Sequence, residues 1–94
     1  MICGNDVLAI GAVAECHARG LAVPGDVSIT GFDDMEIASV ITPALTTVRF
    51  PTAELGTLAA QHLLARLAGE NVPQQRQLPV ELVVRESTAA PRRP

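Results

Sequence analysis

Two pairs of polar residues stand where a chain of this kind can do chemistry. Asn5-Asp6 precedes the first run with helical spacing, and Asp33-Asp34 follows the short run Asp26-Val-Ser-Ile-Thr-Gly-Phe. Both pairs therefore fall at the carboxyl ends of strand-like segments, which is where open α/β sheets place their ligand crevice. An asparagine amide can donate and accept toward a polyol. A carboxylate can accept two hydrogen bonds from neighbouring sugar hydroxyls, or from the N–H groups of a purine-like molecule. The same residue types have structural uses. Asn and Asp satisfy the orphan N–H groups of a first helical turn, and Asp is common in turns. On the residues alone, capping accounts for Asn5-Asp6 and a turn accounts for Asp33-Asp34.

No catalytic constellation joins these pairs. Adjacent carboxylates on one short turn share solvent, whereas acid/base pairs need separate environments that drive their pKa values apart. His17 follows Cys16 directly on a helix, so the two side chains diverge and make no metal-ligand pair. His62 lies within a second helical run and reads as a packing residue. Cys3 and Cys16, the only thiols, read as free, small hydrophobes. Gly-x-Ser-x-Gly, His-Glu-x-x-His, a phosphate loop and a dinucleotide fingerprint are all missing. Neither an enzyme, nor a metal site, nor a cofactor is expected.

The elements that must position these residues follow from periodicity and punctuation. Val7, Ile10, Val13/Ala14 and Ala18 recur at helical spacing and Gly20 can end the run, which predicts a helix over 6–19. The β-branched run after Pro24-Gly25 predicts a buried strand. A helical turn through Met35–Ser39 precedes Thr42-Pro43, where proline pushes its predecessor out of helical geometry. Leu45–Phe50 reads as a second short strand. Pro51 suits a first helical turn, and Leu55, Leu58/Ala59, Leu63 and Leu67 share one face until Gly69, predicting a helix over 51–68. Leu78, Val80, Leu82 and Val84 alternate with other residues at a period of two, as a half-buried strand does. The tail Ser87–Pro94 is expected to fray. Helices alternating with apolar strands put the chain in the α/β class, with a parallel sheet and helical crossovers. Such a unit begins with a strand, yet only Ile2-Cys3 precedes the first helix, so the chain reads as starting inside an element.

Composition narrows the function classes. A chain of 94 residues, 48% hydrophobic, supports one small core. A net charge of −3 and only two aromatics, Phe32 and Phe50, argue against coating phosphates or stacking single-stranded nucleic acid. The apolar stretches stop well short of the roughly 20 residues that span a bilayer. With no charged-then-apolar leader at Met1, a cytoplasmic location with no membrane contact is expected.

The string Cys3-Gly4-Asn5-Asp6, Ala9-Ile10-Gly11-Ala12, then Arg19-Gly20-Leu21 with Val23-Pro24 and Asp26-Val27-Ser28-Ile29, then Gly31-Phe32-Asp33-Asp34, resembles the LacI/GalR (lactose-repressor-type) transcriptional regulators. Pro43-Ala44-Leu45-Thr46-Thr47-Val48-Arg49, Glu54-Leu55-Gly56 with Ala59, and Glu81-Leu82-Val83-Val84-Arg85-Glu86-Ser87-Thr88 continue the pattern in order. The resemblance covers nearly all of residues 2–91.

It implies that residues 1–94 are the C-terminal part of an effector-sensing domain with a type I periplasmic-binding-protein-like core, without the helix-turn-helix headpiece. Residues 1–49 would lie in one lobe, the helix 51–68 in the other, and the strand 78–86 would cross back, giving a fragment of both lobes. The resemblance makes Asn5 an effector-contacting asparagine, with Asp6 left as the cap. It makes Asp33 the ligand-binding aspartate, with Asp34 structural. Phe50 falls near the pocket-lining segment, where a ring can cover a sugar face; a core aromatic at a strand end is the equal alternative. Ile10, Val40 and Ile41 match positions of side-by-side dimer pairing, and simple core burial competes on even terms. The implied partners are a small effector, sugar or purine-like, and a second copy in a homodimer. DNA would be met only through the headpiece. A piece of a periplasmic sugar-binding transport protein and a truncated gene product without independent activity are the alternatives.

Overall fold

The first helix begins where an asparagine closes its open end. Asn5 has extended backbone (φ −159°, ψ 174°), and its Oδ1 accepts from Leu8 N–H at 2.9 Å, which satisfies one of the donors a first turn leaves orphaned. In this computed structural model, which describes residues 1–92, α1 spans Asp6–Ala18. The cap is thus Asn5 and not Asp6, as the sequence had suggested. Its far end closes on Gly20 (φ 74°), with Gly20 N–H on His17 O at 3.1 Å and Leu21 N–H on Cys16 O at 2.8 Å. Two crossed bonds of this kind need a left-handed residue just past the helix, which glycine supplies without steric penalty.

The buried face of α1 is Asp6, Ala9, Val13 and Cys16. The face expected from spacing was shifted by about one residue, and Val7 is 60% exposed. The physical reason lies in the composition of the helix: Val7, Leu8, Ala9, Ile10, Ala12, Val13 and Ala14 surround it almost entirely, so periodicity marks no unique face.

Alongside α1 the chain forms three parallel-running segments joined by single bridges, with Thr30 between Ile2 and Thr46. Cys3 N–H donates to Thr30 O, Thr30 N–H to Met1 O, and Gly31 N–H to Thr46 O, all at 2.9 to 3.0 Å. The strand expected over 26–32 is therefore one bridge residue with irregular flanks. Among the described residues regular strands are confined to β1 (Thr47–Arg49) and β2 (Glu81–Val83), which pair antiparallel with Thr47 opposite Val83 and Arg49 opposite Glu81. The expected largely parallel sheet is parallel at its bridges and, among the described residues, antiparallel at its regular pair. The anticipated helical turn at 35–39 is present as a 3₁₀ helix, Glu36–Ser39, with Met35 at its N-cap. The Val23-Pro24 and Thr42-Pro43 peptide bonds are cis.

The tail beyond β2 is held, against expectation. Ser87 is fully buried; its Oγ donates to Ile29 O at 2.6 Å and accepts from Thr46 N–H at 2.9 Å. Thr88 Oγ1 lies 2.9 Å from Thr46 Oγ1, and Ala89 N–H donates to Ser28 Oγ at 3.0 Å. Hydroxyls here satisfy backbone groups that no regular ladder reaches. Arg92 pairs with Asp26 at 2.8 Å. The rest of the predicted fraying, at Arg93 and Pro94, lies outside the described residues.

The chain divides into two compact units, residues 1–49 with 81–94, and residues 50–80. The first holds the core: Ala9, Val13, Cys16, Val23, Ile29, Ala38 and Leu45 are buried, with Cys3, Ala12, Val27 and Ile41 packed against them. The second is built on α2 (Thr52–Leu67), which ends on Gly69 (φ 81°) through the same crossed bonds that close α1. No residue of α2 is buried, and Leu55, Leu63 and Leu67 of its predicted apolar stripe are 47%, 58% and 75% exposed. Among the described residues no helix is long and apolar enough to cross a membrane.

Candidate functional site

A buried carboxylate organises the edge on which the predicted site residues stand. Asp6 is fully buried; its Oδ1 accepts from Thr47 Oγ1 at 2.6 Å and its Oδ2 from Met35 N–H at 2.7 Å. Its own N–H donates to Phe32 O at 3.0 Å. A single side chain thus ties the start of α1 to the turn after residue 31 and to β1. Gly31 makes this possible, because a Cβ there would overlap Asp6 Oδ1 and come within 3.0 Å of Leu45 Cδ2. The sequence reading had given Asp6 only a capping role, and no local spacing could have shown partners 29 and 41 residues away.

The Asp6–Phe32 bond brings the two predicted contacts to one edge. Asn5 immediately precedes it and Asp33 immediately follows it. Asn5 is half-buried and spends Oδ1 on the helix, so its NH₂ is the part left to donate outward. Asp33 is half-buried, has φ 118°, and donates its N–H to Val48 O at 3.0 Å. Asp34 follows with φ 56°. Two consecutive non-glycine residues with positive φ cost on the order of 1–3 kcal/mol each, and such turns persist where the surroundings over-determine them.

Asp34 provides that over-determination. Its Oδ2 lies 2.7 Å from Arg49 Nε and its Oδ1 lies 2.7 Å from Arg85 Nη2, with the side chain only 10% exposed. Burial by itself would raise the Asp34 pKa; hydrogen bonds and charge from Arg49 and Arg85 outweigh it and hold the carboxyl below its usual value. The same contact raises the Arg49 pKa. Arg49 also reaches Glu81 at 3.5 Å, and Arg85 Nη1 donates to Leu45 O at 3.0 Å. The sequence reading left Asp34 as a structural turn residue and missed both arginines, which lie 15 and 51 positions away.

The remaining predicted residues are dispersed. Phe50 is half-buried in the unit of residues 50–80. Ile10 is half-buried on α1, Val40 is 73% exposed, and Ile41 packs against the core. Core burial thus accounts for Ile41, while Val40 presents itself to solvent. Cys3 and Cys16 are free thiols, and among the described residues no three His, Cys, Asp or Glu side chains converge as metal ligands.

Residues 1–88 match the family described as the periplasmic binding protein-like domain. An uncharacterised HTH-type transcriptional regulator from the aml 5′ region of Streptomyces limosus is 43% identical over 90 residues, covering 95% of this chain and 26% of that protein. The lactose operon repressor of Rhizobium radiobacter is 34% identical over 91 residues, covering 97% of this chain and 80% of that sequence. The lac repressor dimer bound to operator and the anti-inducer ONPF superposes with a TM-score of 0.85 at 38% identity, over 96% of this chain and 32% of that one. The chain thus spans about a quarter of the first of these relatives.

Proposed function

Because this chain belongs to the LacI/GalR family of transcriptional regulators, through their periplasmic-binding-protein-like core, we propose that it forms part of the effector-binding region of such a regulator. The observation that carries this reading is the edge built by Asp6, on which the Asn5 amide and the Asp33 carboxylate flank one backbone hydrogen bond. A sugar or purine-like effector would take the Asp33 carboxylate as acceptor for two adjacent donors and the Asn5 NH₂ as donor. The solved lac repressor complex, with its anti-inducer and its operator, supports reading the site as one that senses a small molecule in a protein that answers on DNA.

The effector would act by binding one arrangement of the protein more tightly than another, which is all that allostery requires. Pairing of two copies would use Ile10, Val40 and Ile41, and DNA reading would belong to a helix-turn-helix headpiece. The setting is the cytoplasm, where operator DNA is found.

Calorimetric titration of the 94-residue chain with lactose, ribose and adenosine tests the assignment. Saturable binding of at least one, weakened tenfold or more by Asn5→Ala and by Asp33→Ala, is the expected result. Absence of binding to all three, or affinity indifferent to both substitutions, overturns it.

A further inference from the structure

The chain leaves its larger unit after Arg49 and returns to it at Glu81. These two residues face each other across the β1–β2 pair, with Arg49 Nη1 3.5 Å from Glu81 Oε2. Asp34 reaches both sides of this exit. One of its oxygens holds Arg49 at the end of β1; the other holds Arg85, two residues beyond β2. Arg85 in turn donates to Leu45 O, just before β1, so the outgoing and returning segments share one carboxylate. Asp33, the residue next to it, stands with φ 118° between two anchors on β1: its own N–H on Val48 O at 3.0 Å, and Asp34 N–H on Thr47 Oγ1 at 3.3 Å. Such a turn keeps its unfavourable backbone only while its anchors hold.

We infer that Asp34 is a positioning residue: through Arg49 and Arg85 it ties the setting of the Asp33 turn to the course of the two segments on which the chain leaves and re-enters its larger unit. A molecule that engages Asp33 and a change in the course of those segments therefore act on one another, and the coupling is reciprocal. The tie stands on the geometry of the turn; its use in sensing rests on the effector-binding reading of Asp33.

Residue-resolved amide exchange on the full chain separates the two. In Asp34→Asn the Asp33 amide and the amides of β1 and β2 should exchange at least tenfold faster, while those of Ala9 and Val13 keep their rates. Arg49→Gln, at a half-exposed position, should produce the same pattern more weakly, and it decides the matter if Asp34→Asn does not fold. An unchanged Asp33 amide, an equal acceleration at Ala9 and Val13, or a wild-type chain without protection overturns the tie. For any of lactose, ribose or adenosine that binds the wild type, Asp34→Asn should lower affinity at least tenfold, and the bound molecule should slow exchange at Arg49 and Glu81. Binding that survives Asp34→Asn unchanged overturns the coupling. Failure of all three to bind overturns the effector reading and the coupling with it, while the exchange pattern still decides the tie.

Discussion

Gly31, Asp6 and Asp34 carry most of what individual residues contribute here. Gly31 is where the backbone passes against the Asp6 carboxylate, so Gly31→Ala must displace Asp6 from Thr47 and Met35 or push into Leu45. Overpacking of this sort costs about 1–3 kcal/mol, and urea unfolding should show an unfolding free energy lower by that amount, with a correspondingly lower midpoint. Asp34 makes stability pH-dependent. Its folded pKa lies below the ordinary carboxylate value of about 3.9, so its contribution is complete above that value and is lost as pH falls through the folded pKa. The groups that face it are Arg49 and Arg85, with Glu81 reached through Arg49. Urea midpoints measured downward from pH 5 should therefore decline less steeply in Asp34→Asn than in the wild type, and parallel curves would contradict the assignment.

Helix α1 shows why element boundaries were easier to read than element faces. Asn5 and Gly20 bracket it through local chemistry, a side chain on an N–H three residues on and a left-handed residue past the end, and both are visible in sequence. Which side packs inward was not, because nearly the whole circumference is apolar. The buried network of Asp6 selects the face carrying Ala9, Val13 and Cys16. Two substitutions check this phase by thermal or urea unfolding. Val7→Ala, at a 60% exposed position, should change stability by no more than about 0.5 kcal/mol. Ala9→Leu, at a fully buried one, should cost about 1–3 kcal/mol. The short strands were over-read for a related reason: β-branched runs such as Val27–Thr30 mark burial, and here burial is met by single bridges and hydroxyl contacts in place of a ladder.

At the scale of the molecule the two units differ in how they are held. Residues 1–49 with 81–94 contain the buried core cluster, whereas α2 buries none of its residues. Backbone protection scales with such burial, so the amides of α2 should exchange at least tenfold faster than those of Ala9 and Val13. Equal protection in both would show that α2 is covered in solution. The composition had pointed to one small core, and one core is present. The apolar stripe read on α2 is equally real as a pattern, but it lacks a covering surface among the described residues.

The amino-acid sequence by itself determined the family, the two helices and their terminators, and the placing of Asn5 and Asp33 after strand-like segments. These rest on local spacing and on an ordered run of short motifs, which need no knowledge of what lies across the fold. Tertiary structure decided that Asp6 is the buried tie and that Asp34 belongs with Arg49 and Arg85. Each of these joins residues tens of positions apart. Only the closing of the chain on itself sets such distances, and with them which carboxylate is buried and which is paired.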